Sequence, residues 1–360
     1  MSATTTEEDL GTRIEEVLRD RFAERRAAAA RYGSEFADLW ETAAEHALGG
    51  KLIRPRLLLD LVHALTPAPL TADESRRAVD IAAHVELLHF AFLLHDDVID
   101  GDLIRRTGPN LIGALAARRT GDSAEPALHW ARSSAILLGD LLLSSAVLGF
   151  ARADVPPRTR ERLLSLLEQT IFETVAGEHA DVALSDGIIA PDLRTILATS
   201  AYKTSTYSFV LPLQAAAVLT GSSAATEERL ASIGRHLGLA YQLQDDLLSV
   251  FGDPHEHGKD AFSDLREGKE TAIIAYARMT SHWAGIELHF GRADLTPTDG
   301  AVARDRLRAC GSEDFVRGLV QEHLDAVSTE LIAAESGGAL PPTAGRAIRA
   351  LASRVEGRRR

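Results

Sequence analysis

The sequence predicts an all-α protein folded as a single large helical bundle, and three observations carry that prediction. Hydrophobic residues make up 45% of the chain but aromatics only 5%, so Ala and Leu dominate the apolar count. Small and unbranched side chains lose little rotamer freedom in a helix. Apolar residues recur at helical spacing along most of the chain, and strand-like alternation is nowhere convincing. No stretch rich in Pro, Gly or Ser divides the chain, although 360 residues would by length alone allow two domains.

The elements follow in order. A charged amphipathic opening carries Leu10, Ile14, Val17 and Leu18 at helical spacing. After a Gly49-Gly50 break comes an apolar helix from about Arg54 to Ala64, closed by Pro67 and Pro69. Thr71 and Glu74 supply capping-box chemistry for the next helix, from about Asp73 to Ile99. That helix is apolar on most faces, which puts it at the centre, and Gly101 and Gly108-Pro109 end it. Further helices are expected over about 125–152, 157–185, 192–219, 227–251 and 271–290, and two more over about 300–335 and 342–356. Loops are expected at 252–268 and 292–299.

Charge and cysteine content exclude several functions. Acidic residues outnumber basic ones 52 to 39, giving −13 at neutral pH, so the basic surface of a nucleic-acid binder is missing. The single Cys310 excludes an intramolecular disulfide and a thiolate zinc site. The amino terminus has no charged-then-apolar signal pattern. The most apolar segment, Ala135 to Ala151, is interrupted by Gly139 and Asp140, so no stable membrane insertion is expected and the chain reads as cytoplasmic.

Two acidic clusters carry the strongest chemical signal: His95-Asp96-Asp97-Val98-Ile99-Asp100 and Gln244-Asp245-Asp246. Asp96 and Asp100 are i and i+4 on a helix, so both carboxylates leave one face and can share an ion. Each cluster lies among apolar residues, where neighbouring carboxylates repel and lose hydration unless cations compensate them. Oxygen donors without cysteine partners favour a hard ion, and Mg²⁺ joins carboxylates to substrate phosphates. One such cluster alone would equally serve as a solvated helix end.

Basic residues form the second signal. Lys51 and Arg54 sit at a glycine-to-helix junction, where phosphates bind well. Arg105-Arg106 follows the first acidic cluster, and Lys203-Thr204, Lys259 and Lys269 complete the set. His89 stands two helical turns before Asp96, close to the same face; a lone His on an apolar helix is otherwise a satisfied core residue.

Together these residues resemble the trans-isoprenyl diphosphate synthase family, also called the polyprenyl synthetases. Gly49-Gly50-Lys51-Leu52-Ile53-Arg54-Pro55 resembles its GGKxxRP element, and Asp96 to Asp100 its first DDxxD motif. Arg105-Arg106 is similar to the arginine pair, Gly177 to Asp181 to a GQxxD element, and Lys203-Thr204 to the KT pair. Tyr241 to Asp246 and the stretch from Phe251 to Lys269 resemble the second aspartate-rich motif and its tail. The matches run in the family's order from about residue 26 onward. They imply a synthase domain over 26–360, with 1–25 as a helical extension.

The resemblance implies an isoprenoid-synthase bundle around a deep central cavity, with the two aspartate motifs facing each other across its mouth. It implies three Mg²⁺ ions holding an allylic diphosphate, whose ionisation gives a cation attacked by isopentenyl diphosphate. Asp96, Asp100 and Asp245 take the part of metal ligands, with Asp97 and Asp246 supporting. Lys51, Arg54, His89 and Arg106 take the isopentenyl diphosphate pocket. Arg105, Lys203, Thr204, Gln242, Lys259 and Lys269 take the allylic diphosphate pocket, with Arg105 and Lys203 counted as catalytic. Ala91 and Phe92, five and four residues before the first motif, would set chain length: one small and one bulky residue point to C20, geranylgeranyl diphosphate. A homodimer is the family habit. Three positions depart from the pattern: Leu52 replaces a common Arg, Glu178 replaces Gln, and Ser249 stands where a full second DDxxD ends in Asp.

Other readings remain. The product could be farnesyl diphosphate (C15) or a longer chain. A terpene cyclase on the same scaffold would not need Lys51, Arg54, His89 and Arg106. A non-catalytic partner subunit could lose its metal aspartates, which this chain keeps. A helical metal phosphohydrolase would use His84, His89 and His95-Asp96.

Overall fold

A computed structural model describes residues 7–105, 108–119, 124–252 and 262–357. Among them the chain is all-α: sixteen α-helices, with one strand pair, Ile104–Arg105 against Gly108–Pro109, of two residues each. Contacts divide the chain into two units. One takes the chain up to Leu167 with Val218–Gly221, the other Glu168–Ala217 with the residues from Ser222 onward.

The first unit holds α1 (Glu7–Ala29), α2 (Ser34–Ala47), α3 (Ile53–Leu65), α4 (Ala72–Ile99), α5 (Leu111–Ala117), α6 (Ala124–Ala151) and the start of α7 (Pro157–Ser185). Helix α4 starts where the capping box predicts. Glu74 N donates to Thr71 Oγ1 at 3.3 Å, and Thr71 N donates back to the Glu74 carboxylate at 2.8 Å. Helices α1, α3, α5 and α6 all pack on α4. Glycines let α6 come close: a Cβ on Gly139 would meet the His95 ring at 2.4 Å, and one on Gly149 the His84 ring at 2.0 Å. By length and composition α4 and α6 are each apolar enough to cross a membrane; in α6 a mean over eighteen residues absorbs the interruption at Gly139 and Asp140. In α4, 72% of that apolar window is buried inside the protein.

Helix α1 runs unbroken through residue 25 and buries Ile14, Leu18 and Phe22. The Phe22 ring lies 6.1 Å from Trp40 and 6.5 Å from Phe90. Phe22→Ala should therefore lower the unfolding free energy by about 3–5 kcal/mol, the usual cost of emptying an aromatic core site. Urea denaturation followed by circular dichroism measures it; a change within experimental error would mean that α1 is not part of the core.

The second unit holds the rest of α7, then α8 (Leu193–Ser200), a π-helical stretch (Ala201–Val210), most of α9 (Leu211–Leu219) and α10 (Ala224–Phe251). It continues with α11 (Ser263–Glu267), α12 (Ala272–Arg278), α13 (Trp283–Ile286), α14 (Pro297–Ala309), α15 (Ser312–Ser336) and α16 (Pro342–Glu356). Helix α10 packs on the π stretch, α15 and α16.

Several expected elements differ. The helix expected over 192–219 is continuous but π-wound in its middle. The one expected over 271–290 breaks after Arg278, and a single turn and a 3₁₀ segment follow. The one expected over 300–335 is two helices, parted by Gly311 at φ +86°, a left-handed angle that glycine adopts without strain. Helices α5 and α11 were not expected; at seven and five residues they are too short to show a period.

Candidate active site

In the first unit, the acidic cluster occupies the last turn of α4. Asp100 N donates to Asp96 O at 2.8 Å and Asp102 N to Asp97 O at 2.9 Å, and Gly101 at φ +75° then turns the chain. Asp97 is buried, Asp96 partly buried and Asp100 exposed. The strand pair folds Arg105 back on the cluster, where Nε donates to Asp97 Oδ1 at 3.1 Å and Nη2 to Asp96 Oδ2 at 3.4 Å. Burial pushes the Asp97 carboxyl above its ordinary pKa, and the Arg105 charge opposes that rise. Arg105 thus offsets part of the first cluster's charge. Arg106 lies outside the described residues.

Asn110, which sequence reasoning passed over, locks this turn. Its Nδ2 donates to Asp102 O at 2.8 Å, its Oδ1 accepts from Gly113 N at 2.9 Å, and its own N donates to Leu103 O at 3.0 Å. The available signal was an N-cap residue ahead of Leu111-Ile112.

Lys51, Arg54 and His89 belong to the same unit. Lys51 is exposed before α3, Arg54 lies in the first turn of α3, and His89 is partly buried on α4, against which α3 packs. Leu52, at the position where the family commonly has Arg, caps α3 in the left-handed conformation (φ 49°) with its side chain buried. A branched residue there costs about 1–2 kcal/mol of backbone strain. Its side chain serves the core. Ala91 is buried and Phe92 partly buried. His84 and His95 are engaged elsewhere: His84 Nδ1 is 2.7 Å from Asp80 O, and His95 Nε2 is 3.3 Å from Asp140 Oδ1. Burial, reinforced by the Arg21 charge, lowers the His84 pKa and keeps the ring neutral. These contacts weigh against the phosphohydrolase reading.

The second unit brings most of the other predicted residues to one pocket. A cavity of about 40 Å³ is lined by Asp181, Lys203, Thr204, Gln242, Asp246 and Lys269, among others. Lys203 Nζ donates to Asp181 Oδ2 at 2.7 Å and stands 3.0 Å from Glu178 Oε2. Thr204 Oγ1 donates to Gln242 Oε1 at 3.0 Å, and Gln242 Nε2 donates to Asp246 Oδ1 at 2.8 Å. Burial, then repulsion from Asp264, drives the Asp246 carboxyl up to about 7 against the pull of Lys269. Burial disfavours the Lys269 ammonium, but the charges of Asp264, Asp181 and Asp246 outweigh burial and repulsion from Lys203, so its pKa rises. Asp245 is partly buried on α10. Lys259 lies outside the described residues.

Backbone approach explains the local sequence. A Cβ on Gly177 would lie 2.2 Å from Lys203 N, and one on Gly238 would lie 2.4 Å from Ser205 Cβ. Glycine at both positions lets α7 and α10 close on the π stretch that carries Lys203 and Thr204. A π segment inside an α-helix commonly marks a functional site. Ser249 is buried, and its Oγ makes no hydrogen bond among the described residues. An aspartate there would bury another charge beside Asp245 and Asp246.

Comparison with known proteins identifies the family. Residues 37–289 match the Polyprenyl synthetase family. A geranylgeranyl diphosphate synthase of Methanosarcina mazei is 28% identical over 285 residues, covering 77% of this chain and 78% of the relative. A geranylfarnesyl diphosphate synthase of Natronomonas pharaonis is 31% identical over 295 residues, covering 78% and 79%. The crystal structure of geranylgeranyl pyrophosphate synthase from Corynebacterium glutamicum, complexed with isoprenyl diphosphate and magnesium, superposes with a TM-score of 0.85. It is 28% identical, and the match covers 96% of this chain and 99% of that one. The motif order, the pocket around Lys203 and Asp246, and a family match over most of the chain converge: this chain belongs to the polyprenyl synthetase family and is a trans-isoprenyl diphosphate synthase.

Proposed function

We propose that the chain condenses isopentenyl diphosphate with allylic diphosphates in a Mg²⁺-dependent reaction that yields geranylgeranyl diphosphate, C20. The observation that carries this reading is the pocket in which Lys203, Thr204, Gln242, Asp246 and Lys269 converge. It joins two ammonium groups to a hydroxyl and an amide, the donors that an allylic diphosphate requires.

The donor set fits a hard divalent ion: Asp96, Asp100 and Asp245 offer only oxygen. They would hold three Mg²⁺ ions, which when bound supply Lewis-acid stabilisation of the departing diphosphate. The chain's own residues do the rest. Lys203 and Lys269 neutralise diphosphate oxygens, and Asp181 and Glu178 fix Lys203 in place. Gln242 orients the Thr204 hydroxyl and the Asp246 carboxyl. Arg105 holds Asp96 and Asp97 in register. Lys51, Arg54, His89 and Arg106 bind isopentenyl diphosphate, and Lys259 joins the allylic pocket. Residues 26–360 form the catalytic domain, and 1–25 an extension. A cytoplasmic homodimer completes the proposal; the exposed Trp130, Leu137, Leu141 and Leu148 of α6 form an apolar stripe that a second copy would cover.

Incubation with Mg²⁺, isopentenyl diphosphate and each allylic diphosphate, followed by product sizing, tests the reaction. Arg54→Ala or His89→Ala should raise KM for isopentenyl diphosphate more than for the allylic substrate, and Lys203→Ala should do the reverse. Equal effects on both substrates would dissolve the division into two pockets. Chain length has its own test. Phe92→Ala should lengthen the product, and Ala91→Phe should shorten it to C15. Chromatography of the dephosphorylated products reads both; unchanged lengths would assign the floor to another helix.

A further inference from the structure

Where α10 and α15 pack together, two histidines meet away from the pocket described above. His236 Nδ1 lies 2.8 Å from His323 Nδ1. Two nitrogens at that distance share one proton, so at least one presents a lone pair to the other. Burial, and then the His236 ring beside it, lowers the His323 pKa, which favours the neutral ring that metals bind. Behind His236, Glu330 Oε1 stands 3.8 Å from Nε2, an ion-pair rather than a hydrogen-bond distance. Ser232 Oγ donates to that same oxygen at 2.6 Å and fixes it. The second carboxylate oxygen, Glu330 Oε2, is buried with no hydrogen-bond partner among the described residues. A carboxylate so placed draws the His236 proton to Nε2 and turns the Nδ1 lone pair toward His323. Metal-binding histidines commonly donate that proton to a carboxylate, a contact that Glu330 would reach by a small closure from 3.8 Å.

We propose that His236 and His323 bind a divalent ion of the zinc class, which takes the place of their shared proton as that proton moves to His323 Nε2, and which staples α10 to α15. Zinc bonded to both nitrogens at its usual length would set them roughly 3.3 Å apart, a small opening from the spacing they have. Imidazole nitrogens select such an ion over Mg²⁺, which prefers the oxygen donors of the aspartate clusters. Water fills the remaining positions, because the side chain of His236 keeps 31% of its surface exposed. Gln242 and Asp246 lie farther along α10, so the staple steadies the helix on which part of the pocket is built.

The test titrates chelator-stripped, full-length protein with Zn²⁺ in excess Mg²⁺, by calorimetry and by melting temperature. Wild type should bind one more Zn²⁺ per chain than His323→Ala or His236→Ala, and only wild type should melt higher when that ion is added. Glu330→Gln should keep the site with affinity weakened about tenfold or more. Circular dichroism checks each variant; should an alanine variant fail to fold, His323→Gln gives the same comparison. Equal zinc stoichiometry in wild type and the histidine variants would overturn the proposal, as would wild type that binds no Zn²⁺ at submillimolar concentration.

Discussion

Asp96→Ala and Asp245→Ala should each reduce turnover by about a thousandfold or more while helix content stays intact. Removing a single preorganised group that stabilises developing charge already costs about 10²–10³ in rate. A metal-ligand carboxylate does more, because its loss removes a whole cation from the departing diphosphate. Both side chains are only partly buried, so truncation leaves no large cavity. Steady-state kinetics with circular dichroism separates lost chemistry from lost fold. Excess chelator should reproduce the loss in wild type. Full turnover in chelator would remove metal ions from the reaction altogether.

Lys269→Met should cost both activity and stability. Its ammonium answers Asp264, Asp181 and Asp246 together. Taking away the cation leaves partly buried carboxylates uncompensated, and about 3 kcal/mol of unfolding free energy should go with it. The pH dependence of the metal-free protein tests the same balance. Folded Asp246 keeps its proton up to about 7, whereas its ordinary value is 3.8. Between those values the folded state holds a proton that the unfolded chain has released, so stability falls as pH rises through the window. Asp246→Asn should flatten that slope, and Lys269→Met should carry it on to higher pH, because the Asp246 pKa climbs further without its cation. Urea midpoints measured across the window decide the matter. An unchanged slope in Asp246→Asn would assign the pH dependence to other groups.

The long helices were legible because each repeats its pattern many times. Helix α7 begins at Pro157 and ends at Ser185, both as the sequence indicates, and α4 begins at its capping box. Turns and short elements were not. Gly311 splits what reads as one periodic run, and Asn110 locks a loop through hydrogen bonds that have no period. In the site, residue types gave the chemistry but not the pairing. Arg105 reads as a diphosphate ligand from its place in the motif. Its guanidinium also lies on Asp97 and Asp96, contacts across eight and nine residues that no helical period reports. The hold on Lys203 by Asp181 and Glu178 depends on how closely α7 passes the π stretch, which a helical period cannot report.

The π-wound stretch from Ala201 to Val210 has a consequence for how the gene tolerates change. A π segment holds more residues per turn than its α neighbours, so the chain there carries slack. Deleting one residue between Ser208 and Val210 would let the segment relax into α-helix with its hydrogen bonding intact. Everything before the deletion would then change its angle relative to α9, because nine residues at about 100° each replace ten wound more loosely. Lys203 and Thr204 would leave their pocket on a helix that still folds. Single-codon deletions at this point should therefore give soluble, helical, inactive protein, a class of null allele that no stability screen would catch.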